Sequence, residues 1–285
     1  MQSTLKHILR TMRLSKSLTV GFILLSCIVA LSLLSPYISP RNPFEQSVRL
    51  RLNPPNSEQW MGTDRLGRDI LSRVLHGGLI SLRVGAVSVA VGLLIGSLIG
   101  MLAGFYGGWL ETVLMRFVDA LLAFPGILLA LVVISVLGVG LNNVVIAIGI
   151  AWVPRFARMV RGSTLSLREE GYVEAARAIG CNSFRIIVCH ILPNLIGLLL
   201  VYTTLQLGNA IITAAGLSFL GLGAQPPAPE WGLMASQGRD LIGLAWWVST
   251  FPGFAVLLTV LSFNLIGDGL RDVLDPRLSL RRRQE

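Results

Sequence analysis

Six apolar stretches recur along the sequence with polar segments between them: Leu18 to Leu34, Val84 to Phe105, Phe117 to Leu137, Val144 to Val160, Ile191 to Ala214 and Val248 to Ile266. Each is near the ~20 residues that cross a hydrocarbon core as helix. In lipid every backbone donor and acceptor must be satisfied within the segment, so runs of this length are expected to be α-helical. The pattern predicts an all-α integral membrane protein with six transmembrane helices. Composition agrees: 53% of the 285 residues are apolar, 14% are charged and the mean hydropathy is +0.69, outside the range of an ordinary soluble domain. The fourth stretch is the least regular, because Pro154, Arg155 and Arg158 interrupt its C-terminal half.

The first run follows Lys6, Arg10, Arg13 and Lys16, a basic start like that of a secretory signal. No small-x-small cleavage site closes it, since Ser35-Pro36-Tyr37 follows, so it reads as an uncleaved span. Gly92, Gly96 and Gly100 stand four residues apart inside the second run, a stripe that lets helix backbones approach closely where packing drives association. With the N-terminus inside, 16 of the 24 basic residues fall on the cytoplasmic side, among them Arg116, Arg155, Arg158, Arg161, Arg168, Arg177, Arg185 and the C-terminal Arg271, Arg277, Arg281, Arg282 and Arg283. The positive-inside bias and the even span count place both termini in the cytoplasm. The net charge of +9 is thus topological information, with no organised patch for nucleic acid.

The long polar interruption in the second half, Ser163 to Asn194, reads as two short helices with a sharp corner between them. Ser166 and Glu169 have capping-box spacing at a helix start, Gly180 is placed to end that helix in a left-handed conformation, and Asn182 or Ser183 to cap the next, which runs into His190, Leu192 and Pro193. Ala175, Ala176 and Ala178 keep the approach to the corner small, a shape suited to entering a groove on another protein. As a string, Glu174-Ala175-Ala176, three residues, Gly180, nine residues, then His190-Ile191-Leu192-Pro193 resembles the EAA loop of bacterial ABC-importer permeases, with His190 where that family favours isoleucine.

Three further strings resemble one subgroup of those permeases, the dipeptide, oligopeptide and nickel type. The first is Gly62-Thr63-Asp64-Arg65-Leu66-Gly67-Arg68-Asp69-Ile70-Leu71-Ser72-Arg73, lying in the external segment Pro36 to Gly78. From the residues alone it is an amphipathic surface helix capped by Thr63 or Asp64, with Asp69 and Arg73 paired one turn apart. The second is the glycine- and proline-rich external loop Gly216 to Gly232, where Trp231 is expected at interfacial depth. The third is Phe263 to Pro276, whose Asp268, Arg271 and Asp272 are expected to pair locally at the end of the last helix. Between the second and third spans, Arg116 and Asp119 are likewise expected to neutralise each other on one helix face.

The resemblance implies a type I ABC-importer permease fold in three parts: 1–80 with the tail, first span and external segment, 81–272 as the transmembrane permease domain, and 273–285 as a basic cytoplasmic tail. It further implies a homologous second permease subunit, two ATP-binding subunits that carry ATP and Mg, an extracytoplasmic solute-binding protein, and a place in the bacterial inner membrane. On this pattern Glu174, Ala175, Ala176, Gly180, Cys181, Asn182 and Ser183 form the contact of a coupling helix with an ATPase subunit. The cargo implied is a dipeptide or oligopeptide, with glutathione or a nickel chelate as alternatives; no pore-lining residue is assigned.

The chain has no GxxxxGK[ST] phosphate loop, so ATP hydrolysis is expected on partner subunits and no catalytic residue is assigned. Cys27, Cys181 and Cys189 show no metal-ligand spacing, and His7, His76 and His190 are scattered, so no metal site is expected. A secondary transporter is the rival class; it would need an ion-coupling carboxylate in mid-membrane, and the central portions of the six runs contain no acidic residue.

Overall fold

The computed structural model describes residues 16–274. Lys6, His7, Arg10 and Arg13, and the tail from Asp275 with Arg277, Arg281, Arg282 and Arg283, lie outside the described residues. The elements are α1 (Lys16–Leu33), α2 (Ser35–Ile38), α3 (Ile70–Tyr106), α4 (Gly108–Leu122), α5 (Gly126–Leu137), α6 (Leu141–Arg168), α7 (Gly171–Ala178), α8 (Ser183–Ile186), α9 (Leu192–Phe219), α10 (Trp231–Gln237) and α11 (Trp247–Leu274). A single isolated bridge between Thr63 and Asp69 is the only β pairing among the described residues.

Among the described residues five helical runs are long and apolar enough to span a membrane: α1, α3, α6, the run from Ser183 to Phe219, and α11. The sixth expected span is broken. α4 and α5 meet at a bend of 91°, so the straight helix expected over 117–137 is corrected to two rods. The physical cause is Pro125, which lacks an N–H and pushes Phe124 away from helical dihedrals. By contrast α6 passes through Pro154 without stopping, where Trp152, Val153, Phe156 and Ala157 are buried around it and hold the helix across the missing hydrogen bond.

The chain divides into two compact units. The first comprises residues up to Ala86, Gly138–Val144 and those from Thr204 onward. In it α1 lies along α11, where glycines permit the approach: a Cβ on Gly21 would sit 2.8 Å from Leu265 Cβ, and one on Gly269 would sit 2.6 Å from Leu18 Cβ. Its core gathers Ile70, Trp231, Met234, Ala245, Trp247 and Val248. Trp231, expected at an interface, is buried instead and donates from Nε1 to Val74 O at 2.9 Å. Asp268, Arg271 and Asp272 are exposed, and none of the ion pairs among the described residues includes them.

The second unit comprises Val87–Leu137 and Val145–Thr203. Here the glycine stripe of α3 meets α6. A Cβ on Gly92 would lie 2.5 Å from Trp152 Cβ, on Gly96 2.5 Å from Val153 O, on Gly100 2.5 Å from Ala157 O and on Gly104 2.8 Å from Thr164 Cβ. Any side chain larger than hydrogen would push the two backbones apart. The polar face of α4 also turns to α6. Asp119 accepts from Arg158 Nη2 at 2.5 Å and Glu111 from Arg161 Nε at 2.7 Å, so Asp119 is satisfied by the neighbouring helix and not by Arg116.

Candidate functional site

Two clusters hold the residues singled out from the sequence, one in each unit. The elbow in the second unit begins where α6 ends, at Arg168, eight residues past the Val160 at which the fourth apolar stretch closes. Ser166 is still helical and bonds back to Gly162 O at 3.5 Å, while Glu169 pairs with Arg168, so no capping box forms there. α7 then starts after the extended Glu170. It ends as anticipated at Gly180, which holds φ +83, with Gly180 N donating to Arg177 O at 2.9 Å and Cys181 N to Ala176 O at 3.0 Å. These two bonds define a Schellman stop, and they satisfy carbonyls that would otherwise be orphaned.

Asn182 is the residue that caps the second arm; its Oδ1 accepts from Arg185 N at 2.8 Å. That arm is not a separate helix. One α turn, Ser183–Ile186, passes into a five-residue π turn, Ile187–Ile191, and straight on into α9. Pro193 follows directly on the π turn within this continuous run, so its missing N–H falls where the regular i→i−4 ladder is already interrupted.

Underneath, Val173 and Ala176 of α7 pack with Phe105, Val160, Ile186, Ile191 and Leu195, and Cys181 lies against the same cluster. The Arg177 guanidinium stands 5.4 Å from the Phe105 ring centre, and Arg168 Nη1 donates to Gly104 O and Phe105 O at 3.3 and 3.4 Å. The elbow is thus fastened to the end of α3. Above, Glu174, Ala175, Ala178, Gly180 and Asn182 are exposed and Ser183 partly so. Two apolar side chains that sequence reasoning missed project beyond them: Ile179 is 81% exposed and Phe184 74%. The signal was available, since each is a large apolar residue beside the helix stop or the cap. The surface is therefore small in the middle and apolar at both flanks.

In the first unit, Gly62 to Asp69 forms a compact polar knot in place of the amphipathic surface helix expected. Asp64 is 5% exposed and Arg73 1%. Thr63 and Asp64 do not cap a helix. Thr63 Oγ1 accepts from Asn53 N at 2.9 Å and donates to Leu50 O. Asp64 receives Leu66 N and Arg68 N on Oδ1, at 2.8 and 3.0 Å, and Arg68 Nε on Oδ2 at 2.6 Å. The cap of α3 is Asp69, whose Oδ2 accepts from Ser72 N at 2.8 Å and Ser72 Oγ at 2.7 Å.

Arg73 consequently turns away from Asp69 towards Asp64 at 3.8 Å and donates to Pro43 O, Pro227 O and Ala228 O. Arg68 reaches Gln237 of α10 at 3.3 Å, and Trp247 Nε1 donates to Thr63 O at 3.1 Å. Gly67, at φ +73, is required where it stands, because a Cβ would lie 1.9 Å from Ser47 O. Beside the knot, Glu230 caps α10 by accepting from Gly232 N and Leu233 N at 2.9 and 2.8 Å. Burial pushes its carboxyl above the usual carboxylate range, against the opposing pull of those hydrogen bonds and of Ser218 and Ser81.

The family model described as binding-protein-dependent transport system inner membrane component matches residues 96–280. A glutathione transport system permease protein GsiD from Pectobacterium atrosepticum is 48% identical over 258 residues, 90% of this chain and 85% of its own length. A dipeptide transport system permease protein DppC from Alkalihalophilus pseudofirmus is 44% identical over 269 residues, 94% of this chain and 88% of its own. Overlaps of that length take in the knot as well as the elbow. Among solved structures, the inward-facing MetNI methionine ABC transporter is similar in fold, with a TM-score of 0.60 at 22% identity over 72% of this chain and 98% of that chain.

Proposed function

The chain belongs to the family of binding-protein-dependent transport system inner membrane components and has the type I ABC-permease fold, and from that premise we propose that it forms the membrane pathway of an ATP-driven importer for small peptides. The observation that carries this reading is the near-full-length likeness to both a dipeptide and a glutathione permease. Their common cargo chemistry is a short peptide, and glutathione stands as the second reading on the strength of the first of these relatives.

On this proposal residues 81–272 carry the transport path, together with a homologous permease subunit. Two ATP-binding subunits bind ATP and Mg and dock at the elbow, and a solute-binding protein delivers cargo on the opposite side of an inner membrane in which both termini are cytoplasmic. Glu174, Ala175, Ala176, Gly180, Cys181, Asn182 and Ser183 receive the motion, flanked by Ile179 and Phe184. The elbow supports this role because it is rigid in backbone, fastened to α3 and α6 by a shared core, and continuous with α9. A displacement at Gly180 is therefore passed to three span helices, as the tilting of a bundle in alternating access needs.

Vesicles containing the complete complex test the proposal. Labelled dipeptide is expected to accumulate only with ATP and the loaded binding protein present. Uptake driven by an ion gradient with this chain alone would overturn it.

A further inference from the structure

α4 is an amphipathic rod at the broken span. Glu111, Thr112, Met115, Arg116 and Asp119 share one face, and that face and Arg158 and Arg161 of α6 enclose a cleft of about 420 Å³. This size falls within the ~300–1,000 Å³ of small-molecule sites. Three guanidinium groups face two carboxylates. Asp119 pairs with Arg158 and Glu111 with Arg161, while Arg116 has no ion-pair partner among the described residues. Charges in a span-forming segment are costly unless paired or lining a water-filled path, and backbone broken at membrane depth is tolerated under the same condition.

We propose that this cleft is a transient station for the two charged ends of a peptide in passage, the carboxylate meeting Arg116 and Arg158 and the ammonium meeting Asp119 or Glu111. The inference rests on the peptide-importer reading above. The mixed sign of the lining selects this occupant. An anionic lipid headgroup would be served by the guanidinium groups alone and repelled by the two carboxylates, whereas a zwitterion uses both.

The pairs are also exchangeable. Arg158 and Asp119 are 59% and 53% exposed, and ion pairs so open to water gain little on balance, so a peptide can replace one partner at small net cost. Weak, replaceable contacts suit a path that must release what it holds.

The complete complex carrying Met115→Cys, in nanodiscs, provides the test. Modification of that cysteine by a methanethiosulfonate is followed by mass spectrometry, with native, exposed Cys189 as internal reference. Alanyl-alanine is expected to slow the modification at least threefold, its C-terminal amide to slow it much less, and Arg116→Gln or Arg158→Gln to abolish the protection. Arg116→Gln breaks no ion pair and decides the matter if Arg158→Gln does not assemble. Equal protection by dipeptide and amide, no protection, or slowing by added phosphatidylglycerol alone would overturn the station. ATP-dependent dipeptide uptake by the same complex is measured alongside. Uptake without protection removes the station and leaves the importer reading intact, while absence of uptake removes both.

Discussion

The knot and the elbow are both short non-membranous stretches attached to long helices, yet they are built by opposite means. In the knot the charged side chains are buried and each makes several bonds: Asp64 accepts three, and Arg73 donates to three carbonyls besides facing Asp64. In the elbow the backbone does the fixing, through the Schellman stop and the Asn182 cap, and the polar and apolar side chains on its outer surface are left exposed. A segment satisfied from within is finished as it stands. A segment with large apolar side chains still in water is completed by something else. The contrast teaches that the string more specific to the subgroup is a structural staple, and it is the more widely shared string, with Ile179 and Phe184 left uncovered, on which the proposed docking rests.

Substitutions sharpen this contrast. The largest effect is expected from Asp64→Ala, which leaves the buried guanidinium groups of Arg68 and Arg73 without their carboxylate; breaking such a pair costs about 3–5 kcal/mol. Thermal unfolding of the purified chain should drop sharply, and an unchanged midpoint would show that the knot is dispensable. Gly180→Val comes next. Its φ of +83 costs a side-chain-bearing residue about 1–2 kcal/mol, more when β-branched. Insertion and expression should survive while ATP hydrolysis in the complete complex no longer drives uptake; normal uptake would remove the elbow's role.

Ile179→Ser and Phe184→Ser are expected to leave thermal stability within about 0.5 kcal/mol, as surface changes do, yet to weaken co-purification with the ATP-binding subunits. Undiminished recovery of the complex would place the docking surface elsewhere.

The smallest effect concerns pH. Because the folded carboxyl of Glu230 titrates above its ordinary value, the stability gained by its protonation is complete below that value and is lost as pH rises through the folded one. The unfolding midpoint should therefore decline gently from the ordinary carboxylate range towards neutrality, and Glu230→Gln should flatten the curve. A midpoint that rises over that interval in the unaltered protein would contradict the assignment.

The long rods were legible in the sequence because lipid imposes a simple rule on runs of apolar residues, and the glycine spacing in α3 forecast a close helix seam without saying that α6 supplies its other side. The left-handed stop at Gly180 and a cap at Asn182 or Ser183 were legible because each depends on one residue and its neighbours, and the structure selects Asn182. What was not legible depended on distant partners. Asp119 could be assigned to Arg116 on its own helix, but Arg158, 39 residues on, reaches it first. Asp69 and Arg73 have the spacing of a helix pair, but Pro43, Pro227 and Ala228 supply carbonyls that no local pattern announces. The break at Pro125 was marked by the proline, whereas Pro154 with the same chemistry does not end its helix, because burial overrides it.

The seam of α3 against α6 has one more implication. With hydrogen as the only side chain at Gly92, Gly96, Gly100 and Gly104, the two backbones interlock like the teeth of a key in its ward, and neither rod can slide without first separating. The elbow hangs from α6 and is pinned to the tip of α3, so on the proposed coupling role an impulse arriving there is delivered to a splinted pair. Stroke length is then set by how far that pair tilts as a whole.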